Sequence, residues 1–121
     1  MSKSIVVVDD SESIRELVGL TLETAGHTVS KGIDGHDALR LFDGREVNLV
    51  ITDLNMPNLD GISLIREIRK MDGYGTTPIL VLTTESQAAK KEEAKAAGAT
   101  GWIVKPFVAE KLLEVVKKVI R

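Results

Sequence analysis

The chain has 121 residues, 43 % of them hydrophobic, and a net charge of -2 from 16 basic and 18 acidic side chains. That is enough for one domain with one core, residues 1–121, and the charge balance gives no electrostatic ground for nucleic-acid binding. The absence of cysteine excludes disulfides, thiolate catalysis and zinc–thiolate sites, and no apolar stretch is long enough to span a bilayer.

Met1-Ser2-Lys3-Ser4 runs straight into the apolar segment Ile5 to Val8, so no cleaved leader is expected, and the expected location is the cytoplasm. Ile5 to Val8 reads as the first strand, and Asp9-Asp10 follow it at once. Ile14, Leu17, Val18, Thr21, Leu22 and Ala25 then recur at helical spacing, with Ser13 and Glu16 as a predicted capping box and Gly26 as a stop. Thr28 to Lys31 is a second strand, polar enough for a sheet edge. Ala38, Leu39, Leu41 and Phe42, followed by Gly44, predict a second helix. Leu49 to Thr52 is a third strand, and Asp53 follows it. Ile62, Ile65 and Ile68 share one face of a third helix. Ile79 to Thr83 is a fourth strand. The alanine-rich segment from Ser86 to Ala97, closed by Gly98, predicts a weakly packed fourth helix. Trp102 to Val104 is a fifth strand, and the last helix, from about Val108, aligns Leu112, Val116 and Val119.

Five βα units with near-continuous Val, Ile and Leu strands predict an α/β fold, a doubly wound parallel sheet covered on both faces. The expected order is the flavodoxin-like 2-1-3-4-5, because it makes the first and third strands neighbours. Ligands of such sheets bind beyond the carboxyl ends of the strands. Asp9, Asp10 and Asp53 then share one cleft. Like charges that close cannot all stay ionised without a counter-ion, so the cluster implies a bound cation. Oxygen ligands favour Mg²⁺; calcium is the runner-up, although no EF-hand loop is present. A carboxylate such as Asp53 can attack phosphorus and form an acyl phosphate, and phosphoryl transfer needs positive charge around the group that moves. Thr83 offers a hydroxyl and Lys105 an ammonium, each at the end of its own strand. The Lys105-Pro106 bond is a candidate cis peptide. Taken singly, each of these has a plainer reading: a helix cap, a turn, a solvated loop. Taken together, four strand ends supply acids, a hydroxyl and an amine to one edge.

With those residues in place, the chain resembles the receiver domain of bacterial two-component response regulators, most of all the single-domain chemotaxis type. The resemblance covers the whole chain. It rests on Val-Val-Asp-Asp-Ser at 7–11, Thr-Asp-Leu-Asn-Met-Pro at 52–57 with Asp60-Gly61, Leu-Thr-Thr at 82–84 and Lys-Pro-Phe at 105–107. The 2-1-3-4-5 order is a known feature of that family, so the order is not independent of the resemblance.

The resemblance implies that Asp53 accepts a phosphoryl group from a histidine kinase. It implies that Asp9, Asp10, Asp53 and the backbone carbonyl of Asn55 bind Mg²⁺, and that Thr83 and Lys105 hold the phosphoryl oxygens. It makes Thr83 and Trp102 the switch, the aromatic turning inward as the threonine moves. Read without the resemblance, Trp102 is an aromatic covering the sheet edge. Asn55 and Glu85 stand where the family tunes acyl-phosphate lifetime, which implies seconds to minutes rather than hours.

With the last helix ending near Arg121, no output domain is expected, and the signal is expected to leave through the face formed by helix four, strand five and helix five. The last helix carries more apolar residues than one buried stripe needs, which predicts some exposure there as a small docking patch, a wide core stripe frayed at its end being the plainer reading. Lys90, Lys91 and Lys95 suit an acidic partner, a solvated charged face being the plainer reading. The expected function is a phosphorylation-controlled protein-binding switch in chemotaxis. A monomer with no external substrate is expected, its expected partners a histidine kinase, a target such as a flagellar motor switch component, and a phosphatase. The alternative is a relay intermediate that passes phosphate to a histidine phosphotransfer protein. A flavin- or nucleotide-binding protein needs a phosphate-cradling loop where Asp9-Asp10-Ser11-Glu12 stand, and an aspartyl phosphatase needs a second acid that Asp53-Leu54-Asn55 lacks.

Overall fold

The computed structural model describes residues 3–120; Met1, Ser2 and Arg121, where the sequence reading placed the chain's start and the end of the last helix, lie outside them. The strands are β1 (Ser4–Val8), β2 (Thr28–Gly32), β3 (Leu49–Thr52), β4 (Ile79–Thr83) and β5 (Gly101–Val104). All pair in parallel, in the order β2-β1-β3-β4-β5. The helices are α1 (Glu12–Thr24), α2 (Gly35–Ala38), α3 (Gly61–Lys70), α4 (Ala88–Ala97) and α5 (Ala109–Val119). The expected architecture and strand order are both observed.

Side chains of a strand alternate between faces, and here both faces are covered. Val6, Val8, Val50, Ile79 and Val81 pack with Ala38, Ile62, Leu64, Ile65, Ile68 and Ala94, so α2, α3 and α4 lie on one side. Ile5, Val7, Leu49, Ile51, Leu80, Leu82 and Ile103 pack with Val18, Leu22, Leu112 and Val116, so α1 and α5 lie on the other. This is why the central strands read as unbroken apolar runs. The more polar β2 is an edge, as expected. So is β5.

Local departures have identifiable causes. The cap of α1 is Ser11, whose hydroxyl accepts from Ile14 N at 3.4 Å. The predicted Ser13–Glu16 box is not formed. Asp9 Oδ1 takes the Ser11 N–H at 2.9 Å and holds that residue extended, so the helix starts at Glu12 and Ser13 is already inside it. Leu17 and Ala25, placed on the buried stripe, are exposed, Leu17 by 50 %. The buried line is Val18, Gly19 and Leu22. The second helix is four residues plus a 3-10 turn at Leu39–Leu41, not a full helix.

The fourth helix starts at Ala88, two residues later than read, and buries Ala94 alone. With so little apolar area holding it, α4 is expected to shift at low cost. On α5, Leu112 and Val116 are buried while Leu113, Val115, Val119 and Ile120 are half-buried. The expected surplus is therefore a half-covered rim, with full exposure only at Val108 just before the helix.

Candidate functional site

Register builds the site. Val8 pairs with Gly32 on one side and Thr52 on the other. The next residues, Asp9 and Asp53, therefore leave adjacent strands at one level, with Asp9 N donating to Gly32 O at 3.2 Å and Asp53 N to Val8 O at 3.1 Å. Thr83 pairs with Val104, and Lys105 N donates to Thr83 O at 2.8 Å, so hydroxyl and amine emerge from β4 and β5 in phase. Carboxylate oxygens of Asp9, Asp10 and Asp53 all lie within 4.8 Å of one another. Asp9 and Asp53 are buried and Asp10 is exposed, which leaves the cluster open on one side.

Lys105 reaches into this cluster. Its Nζ donates to Asp9 Oδ2 at 2.8 Å and to Asp53 Oδ2 at 2.9 Å. Burial pushes the lysine pKa down, but the hydrogen bonds and charges of Asp9 and Asp53 outweigh it, and the ammonium is held above its ordinary value. Asp53 is braced further: Leu54 N donates to its Oδ1 at 2.6 Å. Its Oδ2 faces the amine. Thr83 is fully buried, and its hydroxyl oxygen accepts from Glu85 N at 3.2 Å. Asn55 is exposed on the loop after β3, and Glu85 is half-buried on the loop after β4. The Lys105-Pro106 peptide is cis, as anticipated.

Trp102 is half-buried on the edge strand and packs against the α2–α3–α4 side of the core. Lys91 Nζ lies 5.9 Å from its ring centroid. Its buried Nε1 has no hydrogen-bond partner among the described residues. A cleft of about 230 Å³ beside it is lined by Lys91, Glu92, Lys95 and Thr100.

Asp9, Asp10, Asp53 and Lys105 meet at the carboxyl ends of the strands, and Thr83 ends the neighbouring β4. The sequence reading missed their supports. Arg15 Nη1 donates to Asp9 O at 2.7 Å, fixing the β1–α1 turn from the first helix. A Cβ on Gly61 would overlap Asp53 O, so only glycine lets α3 start against the backbone of Asp53. Asp34 caps α2 through Asp37 N at 2.7 Å and also accepts from Asn58 Nδ2 at 2.7 Å. The signals were the Asp34-Gly35 and Pro57-Asn58 steps, both turn-forming pairs.

An oxygen-only set of three carboxylates around one ammonium is chemically suited to a hard divalent cation with several waters left on it, which fits Mg²⁺. No described helix is long and apolar enough to cross a membrane.

A family model described as the response regulator receiver domain matches residues 5–117. The chemotaxis protein CheY of Pseudomonas aeruginosa is 34 % identical over 116 residues, 95 % of this chain and 94 % of that protein. Protein PetR of Rhodobacter capsulatus is 39 % identical over 118 residues, 97 % of this chain, and the chain spans only 48 % of PetR. Among solved structures, chemotaxis protein CheY4 of Vibrio cholerae superposes with a TM-score of 0.94 at 43 % identity, covering 98 % of this chain and 99 % of that one. The receiver domain of the sensor histidine kinase PA1611 of Pseudomonas aeruginosa, solved with a magnesium ion in its active site cleft, has a TM-score of 0.90 at 26 % identity, with 98 % of each chain covered. The chain belongs to the response regulator receiver domain family, as a CheY-like receiver of two-component signalling.

Proposed function

We propose that this receiver is a chemotaxis-type switch, phosphorylated on Asp53 and read by a protein partner at the α4–β5–α5 face. Membership of the family implies a histidine kinase as donor and a downstream target. The observation that carries the acceptor assignment is the Lys105 amine held between Asp9 and Asp53 at 2.8 and 2.9 Å, with Asp10 alongside.

An Asp53 oxygen attacks the phosphorus of a phosphohistidine. The P–N bond breaks, and the imidazole leaves with the electron pair and takes up a proton. Asp9, Asp10, Asp53 and the Asn55 carbonyl are the groups placed to hold Mg²⁺, which when bound neutralises charge on the phosphoryl oxygens. Lys105 Nζ then turns from Asp53 to a phosphoryl oxygen, and the Thr83 hydroxyl donates to another. Asn55 and Glu85 flank the acyl phosphate and set how readily water reaches it. Beyond its own phosphorylation and dephosphorylation, the chain turns over no external substrate.

Movement of Thr83 towards phosphate frees space beneath β4 and β5 for Trp102. An indole N–H left without a partner forgoes about 1–3 kcal/mol, so the resting position of the ring is not strongly held. The cleft beside it, with Lys91 and Lys95 at its rim, suits an acidic segment carrying an apolar anchor. A cytoplasmic flagellar motor switch component is the partner class we favour, with a phosphatase as a second partner and the active form a monomer. The higher identity to two chemotaxis proteins, 34 % and 43 % against 26 % for the kinase receiver, supports this over a relay role.

The test is Trp102 fluorescence as Mg²⁺ and then acetyl phosphate are added, with intact mass read in parallel. Trp102 is the sole tryptophan, so the signal has one source. One added phosphoryl group with a matching fluorescence change supports the switch. Added mass with a silent tryptophan would leave the acceptor standing and remove Trp102 from the output. Asp10→Ala is expected to weaken Mg²⁺ about tenfold or more and to slow uptake from acetyl phosphate. Unchanged Mg²⁺ affinity would refute the metal assignment. Efficient return of phosphate to a histidine phosphotransfer domain would favour the relay.

A further inference from the structure

The loop from Leu54 to Asp60 carries the Asn55 carbonyl, and how it is held decides where that oxygen lies. At its base, Gly61 N donates to Leu54 O at 2.9 Å, and within it Leu59 N donates to Pro57 O at 2.8 Å. Asp60 serves α3, capping Ser63 N at 2.8 Å. Apart from that cap, the side-chain hydrogen bond that ties the loop to another element among the described residues is Asn58 Nδ2 to Asp34 Oδ2, at 2.7 Å. Asp34 is 8 % exposed, and its other oxygen is committed to the α2 cap. Both hydrogen bonds hold its carboxyl below the usual range, the cap to Asp37 N first and Asn58 second.

Two further features bring the loop against α2. Asn58 has φ 69°, a left-handed conformation that asparagine tolerates. Gly35, the residue after Asp34, lies so close to Leu59 O that a Cβ there would overlap it. Backbone approach and side-chain hydrogen bond therefore act at the same joint.

The geometry points to Asp34 and Asn58 as a positioning pair for the metal pocket, a latch between the α2 N-terminus and the loop after β3 that fixes the Asn55 carbonyl. Asn58 is three residues beyond Asn55 on a short closed loop, so freeing one loosens the other. Mg²⁺ demands near-ideal octahedral geometry and responds sharply to a ligand that wanders. The groups that orient metal ligands typically change affinity 10–100-fold when lost. This inference rests on the reading of the acid cluster as a Mg²⁺ site.

Two variants remove the latch while sparing the fold. Asn58→Gly keeps the left-handed backbone without strain. Asp34→Ser keeps an N-cap, and its side chain is too short to reach Asn58. In Asp34→Asn the cap survives and the two amides can still pair. The measurements are the Mg²⁺ dissociation constant by calorimetry, the melting temperature without Mg²⁺, and amide exchange of residues 54–59 in the metal-free protein. Asn58→Gly and Asp34→Ser are each expected to weaken Mg²⁺ about tenfold, with faster exchange in the loop and little change in melting. The double variant should be no weaker than either single one, because both remove the same bond. Asp34→Asn should bind nearly as the parent does.

Parental Mg²⁺ affinity in either latch variant would overturn the inference, as would losses that add in the double variant. Asp10→Ala separates this from failure of the metal reading. If Asp10→Ala also binds Mg²⁺ like the parent, the cluster is not the metal site and the latch falls with it. If Asp10→Ala loses Mg²⁺ while the latch variants do not, the latch alone is wrong.

Discussion

Asp53→Asn is expected to take up no phosphoryl group from acetyl phosphate and to keep its fold. The carboxamide has the same shape but lacks the anionic oxygen that the proposed attack on phosphorus requires. Its Oδ1 can still accept from Leu54 N, the 2.6 Å bond that orients the side chain now. Lys105 keeps Asp9 at 2.8 Å. One of three mutually close carboxylates is neutralised, which removes repulsion, and one arm of the lysine bridge is weakened, which opposes that gain. The two effects offset, so the melting temperature should shift by only a few degrees, corresponding to about 1 kcal/mol or less. Intact mass after incubation with Mg²⁺ and acetyl phosphate is the direct check, and the Trp102 signal should be silent. An added phosphoryl group in this variant would mean that Asp9, Asp10 or another side chain is the acceptor, and the roles given to the three acids would have to be redrawn.

The sequence revealed the acids because their positions are tied to strand ends, and strand ends were easy to see. β1, β3 and β4 are covered on both faces, so every residue of Ile5 to Val8 and Leu49 to Ile51 is apolar and the run stops where the pocket starts. A parallel sheet then carries each terminus to the same edge. Features fixed by contacts between distant segments were not legible. Ser11 and Ser13 are equally good caps on paper; the Asp9 carboxylate holding Ser11 N decides between them. The apolar residues after Gly35 suggested a longer helix, but Asp34 caps only four residues before the chain tightens into a 3-10 turn. Leu17 fits a helical stripe by spacing, and only the seating of α1 around Val18 and Leu22 puts it in solvent. Asp34 and Asn58 are 24 residues apart, and no local pattern links them.

Lys105→Ala tests the other half of the pocket, and here the cost falls on the fold. In the metal-free protein, the ammonium is the direct counter-charge of two buried carboxylates, with side-chain exposures of 9 % for Lys105, 4 % for Asp9 and 11 % for Asp53. Removing one member of a buried ion pair typically costs about 3–5 kcal/mol, because the partners are left uncompensated. The open side at Asp10 admits water, which favours the lower end of that range. The melting temperature should fall by roughly 10 °C. Mg²⁺ should recover more stability in Lys105→Ala than in the parent, since a ligand of the folded state stabilises in proportion to how strongly it binds, and the freed carboxylates bind it at least as well.

The pH dependence has a definite sign. The folded-state pKa of Lys105 lies above its ordinary value, so its contribution is complete below about 10.4 and is lost as pH rises through the folded value. The stability gap between parent and variant should therefore hold steady from neutrality to about pH 10 and close only above it. Phosphorylated Lys105→Ala, in turn, should show no Trp102 response, because the proposed hand-over of the amine from Asp53 to phosphate is lost. Metal-free melting curves that coincide for parent and variant would mean that the bridge adds nothing to the fold. A parental tryptophan response in the phosphorylated variant would mean that Thr83 alone carries the signal to β5.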